Sequence, residues 1–171
     1  MSIARNIRIL LVDDHTIVRQ GLRNLLESYP NIEVVGEAGD GDEAVVSAAK
    51  LKPAVVVMDI NMPKMDGITA TRLIKTQHPE IAVVGLSVNA EDRYFLDAMQ
   101  KAGAFELLTK DSAVEILYAV IQRAVAAVQP VLILEETPSP KQASGDLPQA
   151  DNPTPAEPLS MKESNEPKIS Q

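Results

Sequence analysis

Five polar residues, Asp13, Asp14, Asp59, Ser87 and Lys110, fall where successive short apolar runs end. Three carboxylates brought together repel one another and raise one another's pKa unless a cation or a basic side chain neutralises them. An oxygen-only set of this kind suits a hard divalent ion. Mg2+ takes octahedral oxygen ligands, keeps several waters and commonly completes its shell with phosphate oxygens. Lys110 adds a compact positive charge, and Ser87 adds a hydroxyl able to donate to a phosphoryl oxygen. Carboxylate nucleophile, metal, ammonium and hydroxyl together describe phosphoryl transfer: metal and lysine offset the charge on the transferring group while one aspartate attacks.

For these residues to meet, the elements carrying them must converge. The runs 7–12 (IRILLV), 54–58 (AVVVM) and 81–86 (IAVVGL) are short, aliphatic and largely unalternated, as parallel strands covered on both faces read. Stretches with helical spacing lie between them, such as Ile17, Gly21, Leu22, Leu25 and Leu26, and later Ile68, Leu73 and Ile74. The pattern predicts strands at about 7–12, 32–37, 54–58, 81–86 and 104–108, and helices at about 15–28, 40–51, 66–77, 91–102 and 112–128. Asp40 and either Asp111 or Ser112 suit helix N-caps, Gly103 suits a C-terminal cap, and Pro53 and Pro79 fall in loops before strands. Strands alternating with helices imply right-handed crossovers and a doubly wound α/β sheet. Ligands of such sheets bind at the carboxyl ends of the strands, where the five polar residues stand.

Length and composition set the bounds. The 171 residues have room for one ordinary domain and a remainder. Without cysteine, neither a disulfide framework nor a thiolate metal site can form. A formal net charge of −8 argues against a broadly basic nucleic-acid surface. No apolar stretch is long enough to span a bilayer and the first eight residues carry no signal-peptide core, so a soluble cytoplasmic protein is the expectation. Eight of the twelve prolines lie from Pro130 onward, among Ser, Glu, Gln, Asn and Lys. That composition predicts a folded domain over 1–129 and a proline-rich, disordered tail over 130–171, with Val131, Leu132, Ile133 and Leu134 as a short extension packing on the domain.

Asp13 and Asp14, the run D-x-N-M-P-x-M-D-G from Asp59 to Gly67, Ser87 and Lys110 together closely resemble the receiver domain of two-component response regulators. The wording VDDHTIVRQGLRNLL, VVGEAGDGDEAV and the AGA before Lys110 is most similar to receivers of LuxR-type (NarL/LuxR) transcription factors. The resemblance covers about residues 5–128. It implies a CheY-like (βα)5, flavodoxin-like fold with strand order 2-1-3-4-5. It implies Asp59 as phosphoacceptor from a histidine kinase or histidine phosphotransfer protein, and Mg2+ held by Asp14 and Asp59, by Asp13 largely through water, and by the backbone carbonyl of Asn61. Lys110 would pair with Asp59 and then with the phosphoryl group, Ser87 would swing in to bond that group, and Pro63 and Gly67 would shape the loop. Downstream, the resemblance implies an effector protein that the sequence does not name, and phosphorylation-dependent homodimerisation as a family-level expectation.

Two departures stand out. The position three before the lysine, usually an aromatic switch residue in the family, is Leu107; the nearby Phe105 would share its face, displaced along the strand. The expected switch therefore runs through Ser87 and Leu107 packing. The residues after Gln129 are also too few, too polar and too proline-rich to build the helix-turn-helix of LuxR-type relatives. Direct DNA binding is not expected; a stand-alone receiver, a relay intermediate, a truncated LuxR-type regulator and a non-phosphorylated pseudo-receiver are the alternatives. Haloacid-dehalogenase-type phosphatases have a similar fold but usually place an acid-base Asp two residues after the nucleophile, where this chain has Asn61. No dinucleotide or P-loop fingerprint is present. His15 reads as a helix-opening residue facing solvent or packing locally. Tyr94, Phe95 and Met99 read as a helical stripe belonging to the core.

Overall fold

A computed structural model describes residues 6–128. Five strands alternate with five helices: β1 (Ile7–Val12), α1 (Thr16–Glu27), β2 (Ile32–Ala38), α2 (Gly41–Leu51), β3 (Val55–Asp59), α3 (Gly67–Gln77), β4 (Ala82–Ser87), α4 (Arg93–Ala102), β5 (Glu106–Thr109) and α5 (Lys110–Val128). All pairings are parallel and the order is β2-β1-β3-β4-β5, the doubly wound arrangement that the alternation predicts. The expected division into a domain over 1–129 and a tail over 130–171 turns on residues outside those described.

The unalternated strands are explained by their two faces. In β1, Ile9 and Leu11 join a core with Leu22 and Leu26 of α1 and Leu117 and Ile121 of α5. Leu10 and Val12 join a second core with Ala44 and Ala48 of α2 and Ala70 and Ile74 of α3. In β3, Val55 and Val57 serve the first core, Val56 and Met58 the second. Period-2 geometry thus sends apolar side chains both ways, and neither face can be polar.

The helix ends follow local chemistry. Asp40 caps α2 by accepting from the Glu43 N–H at 2.9 Å, and Asp66 caps α3 by accepting from the Thr69 N–H at 2.8 Å. Gly103 closes α4 at φ 96°, in the left-handed region where a side chain is disfavoured.

Two expectations need correction, and one helical stretch gains a defined face. The last helix begins at Lys110, and neither Asp111 nor Ser112 caps it: the Thr109 hydroxyl accepts from the Ser112 N–H at 3.0 Å, so both lie in the first turn. On α1, Ile17 is 87% exposed and Gly21 is exposed too; the core-facing stripe is Val18, Leu22 and Leu26, with Tyr29 beyond it. The apolar spacing there is real, but its phase is set by how α1 lies on the sheet. Tyr94, Phe95 and Met99 do not form one core stripe: Met99 is buried, Phe95 is half-buried and Tyr94 is 71% exposed.

Candidate functional site

Strand register builds the site. Val12 pairs with Met58, so Asp13 follows β1 beside Asp59 at the end of β3. Asp59 pairs with Leu86, one residue before Ser87, and Ser87 pairs with Thr109, one residue before Lys110. Parallel strands with matched ends thereby deliver all four to one edge.

Lys110 Nζ lies 2.6 Å from Asp13 Oδ2 and 3.1 Å from Asp59 Oδ2, forming an ion-paired triad with both carboxylates buried. The pairing implied for Lys110 and Asp59 is therefore shared, with Asp13 the nearer carboxylate. Asp14 is more exposed and faces His15, whose Nδ1 is 2.9 Å from Asp14 Oδ1 and 3.2 Å from Asp13 Oδ1. The His15 backbone N–H also donates to Asp13 Oδ1 at 2.8 Å. His15 is exposed, as read from the sequence, and also edges the acidic cluster. The Asn61 N–H approaches Asp59 Oδ1 at 3.4 Å. Ser87 is fully buried, and its Oγ accepts from the Asn89 N–H at 3.1 Å.

Burial pushes the Asp59 carboxyl pKa above its ordinary value, the charge of Asp13 adds to the rise, and Lys110 offsets only part of it. For Lys110, burial works against the charge, but hydrogen bonds to Asp13 and Asp59 outweigh it and leave the ammonium pKa raised. Two buried carboxylates against one lysine leave the pocket short of positive charge.

Asp13, Asp14, His15 and Asp59 each offer a ligand atom, all within 4.8 Å of one another. The carboxylate oxygens match a hard divalent cation, and the strained ionisation of Asp59 is what such a cation would relieve. The residues present therefore fit Mg2+. Adding Mg2+ to metal-free protein is expected to raise its melting temperature. At a hundredfold excess over Kd the gain is about 2.7 kcal/mol, roughly 10 °C for a domain of this size. Circular-dichroism melts with Mg2+ and with EDTA check this; superimposable curves would count against a cation site.

Leu107 is half-buried opposite Gly85, and it lines a cavity between α4 and β5 together with Phe105 and Met99. Phe105 stands one residue before β5 and lines the same cavity as Leu107, displaced along the chain, and Arg123 lies 5.9 Å from its ring centroid.

Arg19 was not singled out by its sequence pattern. Its Nη1 donates to the Asp13 backbone carbonyl at 2.6 Å and its Nε to Glu37 Oε2 at 3.0 Å. The only available signal was an arginine about one turn into the helix that follows the acidic pair.

The family model for the response regulator receiver domain matches residues 9–122. The response regulator GacA of Pseudomonas protegens is 44% identical over 104 residues, 61% of this chain and 48% of that protein. The transcriptional regulatory protein LiaR of Bacillus subtilis is 43% identical over 129 residues, 74% of this chain and 59% of that protein. The chain thus spans about half the length of the curated relatives it matches. Among solved structures, a LuxR-family two-component response regulator from Aurantimonas sp. SI85-9A1 superposes with a TM-score of 0.68 at 36% identity, covering 71% of this chain and 86% of that one.

Proposed function

This chain belongs to the response regulator receiver domain family, the phosphoacceptors of two-component signalling, and on that premise we propose that Asp59 is its phosphoacceptor. The observation that supports this reading is the buried Asp13–Lys110–Asp59 triad at the carboxyl edge of the sheet. An Asp59 Oδ attacks the phosphorus of a phosphohistidine; the new O–P bond forms as the P–N bond breaks, and the imidazole nitrogen leaves with the electron pair. The donor is a histidine kinase or a histidine phosphotransfer protein. Lys110, held protonated by the carboxylates, faces the phosphoryl oxygens once Asp59 is modified. Ser87 offers its hydroxyl to the same oxygens. Asp14 and Asp59, with the Asn61 carbonyl and with Asp13 largely through water, would hold Mg2+, which when bound would neutralise charge on the transferring group.

The added phosphoryl brings about −1.5 to −2 charges to the pocket, and the response passes through Ser87 and Leu107 to an effector protein. The chain catalyses only its own phosphorylation and dephosphorylation. The receiver assignment is proposed for residues 1–129, and the sequence of 130–171 is proline-rich. A cytoplasmic location belongs to the same proposal; among the described residues, no helix is long and apolar enough to cross a membrane.

Intact mass after incubation with acetyl phosphate tests the proposal. A gain of one phosphoryl is expected with Mg2+ and none with EDTA, the adduct being stable in acid and labile in alkali. No gain from acetyl phosphate or from a panel of histidine kinases would leave a receiver fold acting as a binding module.

A further inference from the structure

We infer that Arg19 is a positioning residue for the acidic pocket, pinning the Asp13–Asp14 peptide so that both carboxylates converge on one cation. The inference rests on the Mg2+ reading above. The carbonyl that Arg19 grips at 2.6 Å belongs to the peptide joining the two aspartates. That peptide is planar, so gripping its carbonyl ties the two Cα atoms together as one unit and limits the φ/ψ rotations that aim the two side chains. On its other side, the Asp13 N–H donates to the Ala38 carbonyl at 3.2 Å, so β2 holds one end of Asp13 and Arg19 the other.

The guanidinium is itself anchored, which separates this contact from a chance surface hydrogen bond. Its Nε donates to Glu37 Oε2 at 3.0 Å and its Nη2 reaches Thr16 Oγ1 at 3.4 Å. Glu37 is fixed in turn by Arg23 Nε at 2.7 Å, and Arg23 also reaches Glu27. Hydrogen bonds from Arg23 and then Arg19 hold the Glu37 carboxyl below its ordinary pKa, keeping the anchor charged. Only a planar fork grips the Asp13 carbonyl and Glu37 at once; an ammonium at the same place is a single point. Asp14 gains most, since among the described residues its side chain is otherwise paired only with the exposed His15.

The sign of one measurement separates positioning from charge. A guanidinium bonded to the backbone of the acidic pair repels an incoming cation, so if Arg19 acted by charge alone, Arg19→Met would tighten Mg2+ binding. Positioning predicts the reverse. Outer-shell partners of metal ligands typically carry about 10-fold or more in affinity, so the Mg2+ Kd is expected to rise about 10-fold in Arg19→Met. Arg19→Lys should fall between Arg19→Met and wild type, and Glu37→Gln, which loosens the outer anchor and leaves the Asp13 contact in place, should raise Kd by about 3-fold.

Isothermal titration with MgCl2 on the full chain reads Kd directly, with metal-free melts of each variant alongside. Melting temperatures that fall while Kd stays put would assign Arg19 a structural role only and overturn the inference. A Kd that falls would overturn it as well. If Arg19→Met does not fold, the Glu37→Gln result decides. Should wild type bind no Mg2+, the site reading fails too, whereas wild-type binding with unchanged variants sinks the Arg19 inference alone.

Discussion

Replacing Asp59 with Asn is expected to abolish phosphoryl uptake while raising the melting temperature of the metal-free protein. The first effect is categorical, since the amide offers no carboxylate oxygen to attack phosphorus. Intact mass with acetyl phosphate and Mg2+ should show no adduct, against one phosphoryl per wild-type chain. The second follows from the same pocket. Burial, with the Asp13 charge behind it, raises the Asp59 pKa in the fold, so the ionised side chain is less favourable there than in the unfolded chain.

The sign of the pH dependence is fixed by this shift. A carboxyl with a raised folded pKa binds its proton more tightly in the native state, so wild-type stability declines as pH rises from the unfolded value, near 3.8, through the raised folded value. Asn carries no such dependence. The advantage of Asp59→Asn should be small at the acid end and complete at neutral pH. Each kcal/mol of that advantage would appear as about a few °C in melting temperature. Lys110 keeps a partner in the variant, because Asp13 is the nearer carboxylate at 2.6 Å. Residual labelling of Asp59→Asn at the wild-type level would move the acceptor elsewhere, and a lower melting temperature at neutral pH would contradict the electrostatic account.

A second large effect is expected from Gly67→Ala, a single methyl. An ideal Cβ at this position would sit 2.0 Å from the Asp59 carbonyl oxygen and 2.9 Å from Ile60 Cα. These are backbone atoms at the end of β3, so no rotamer change relieves the clash. The Gly67 N–H already donates to the Ile60 carbonyl at 2.9 Å, holding the start of α3 against that strand end. Relief requires α3 or the β3 terminus to move. The expected loss is about 3 kcal/mol or more, the upper range for overpacking, read as a lower urea midpoint. Because the atom struck belongs to Asp59 itself, phosphoryl uptake should slow in any variant that still folds. Gly21→Ala is the control: nothing lies within 4 Å of its added Cβ, on an exposed face of α1. It should stabilise by roughly 0.5–1 kcal/mol through helix propensity. Equal midpoints for Gly67→Ala and wild type would show that the packing at this junction yields easily.

The structure separates what local pattern encodes from what it does not. Asp40 and Gly103 were legible as caps because a cap is satisfied within three or four residues of itself. Asp111 and Ser112 were misread for a related reason: the residue that caps α5 is Thr109, and a strand running straight into a helix leaves no composition break to mark the boundary. The exposed Ile17 shows that an apolar residue at helical spacing declares amphipathicity without declaring which side the sheet occupies.

The chain's own residues determined the site to the extent that parallel topology made their meeting obligatory. Apolar runs ending in Asp13, Asp59 and Ser87 had to converge once the strands were parallel and right-handed crossovers returned each to the same edge. Tertiary structure alone decided that Lys110 bridges two carboxylates, that His15 edges the cluster, and that Arg19 reaches the Asp13 carbonyl with Glu37 behind it. Those contacts join residues on different elements whose separation is set by how a helix rotates and settles on a sheet. That rotation is a property of the assembled core, where side-chain volumes from several elements must fill one space, and no periodicity within a single segment encodes it.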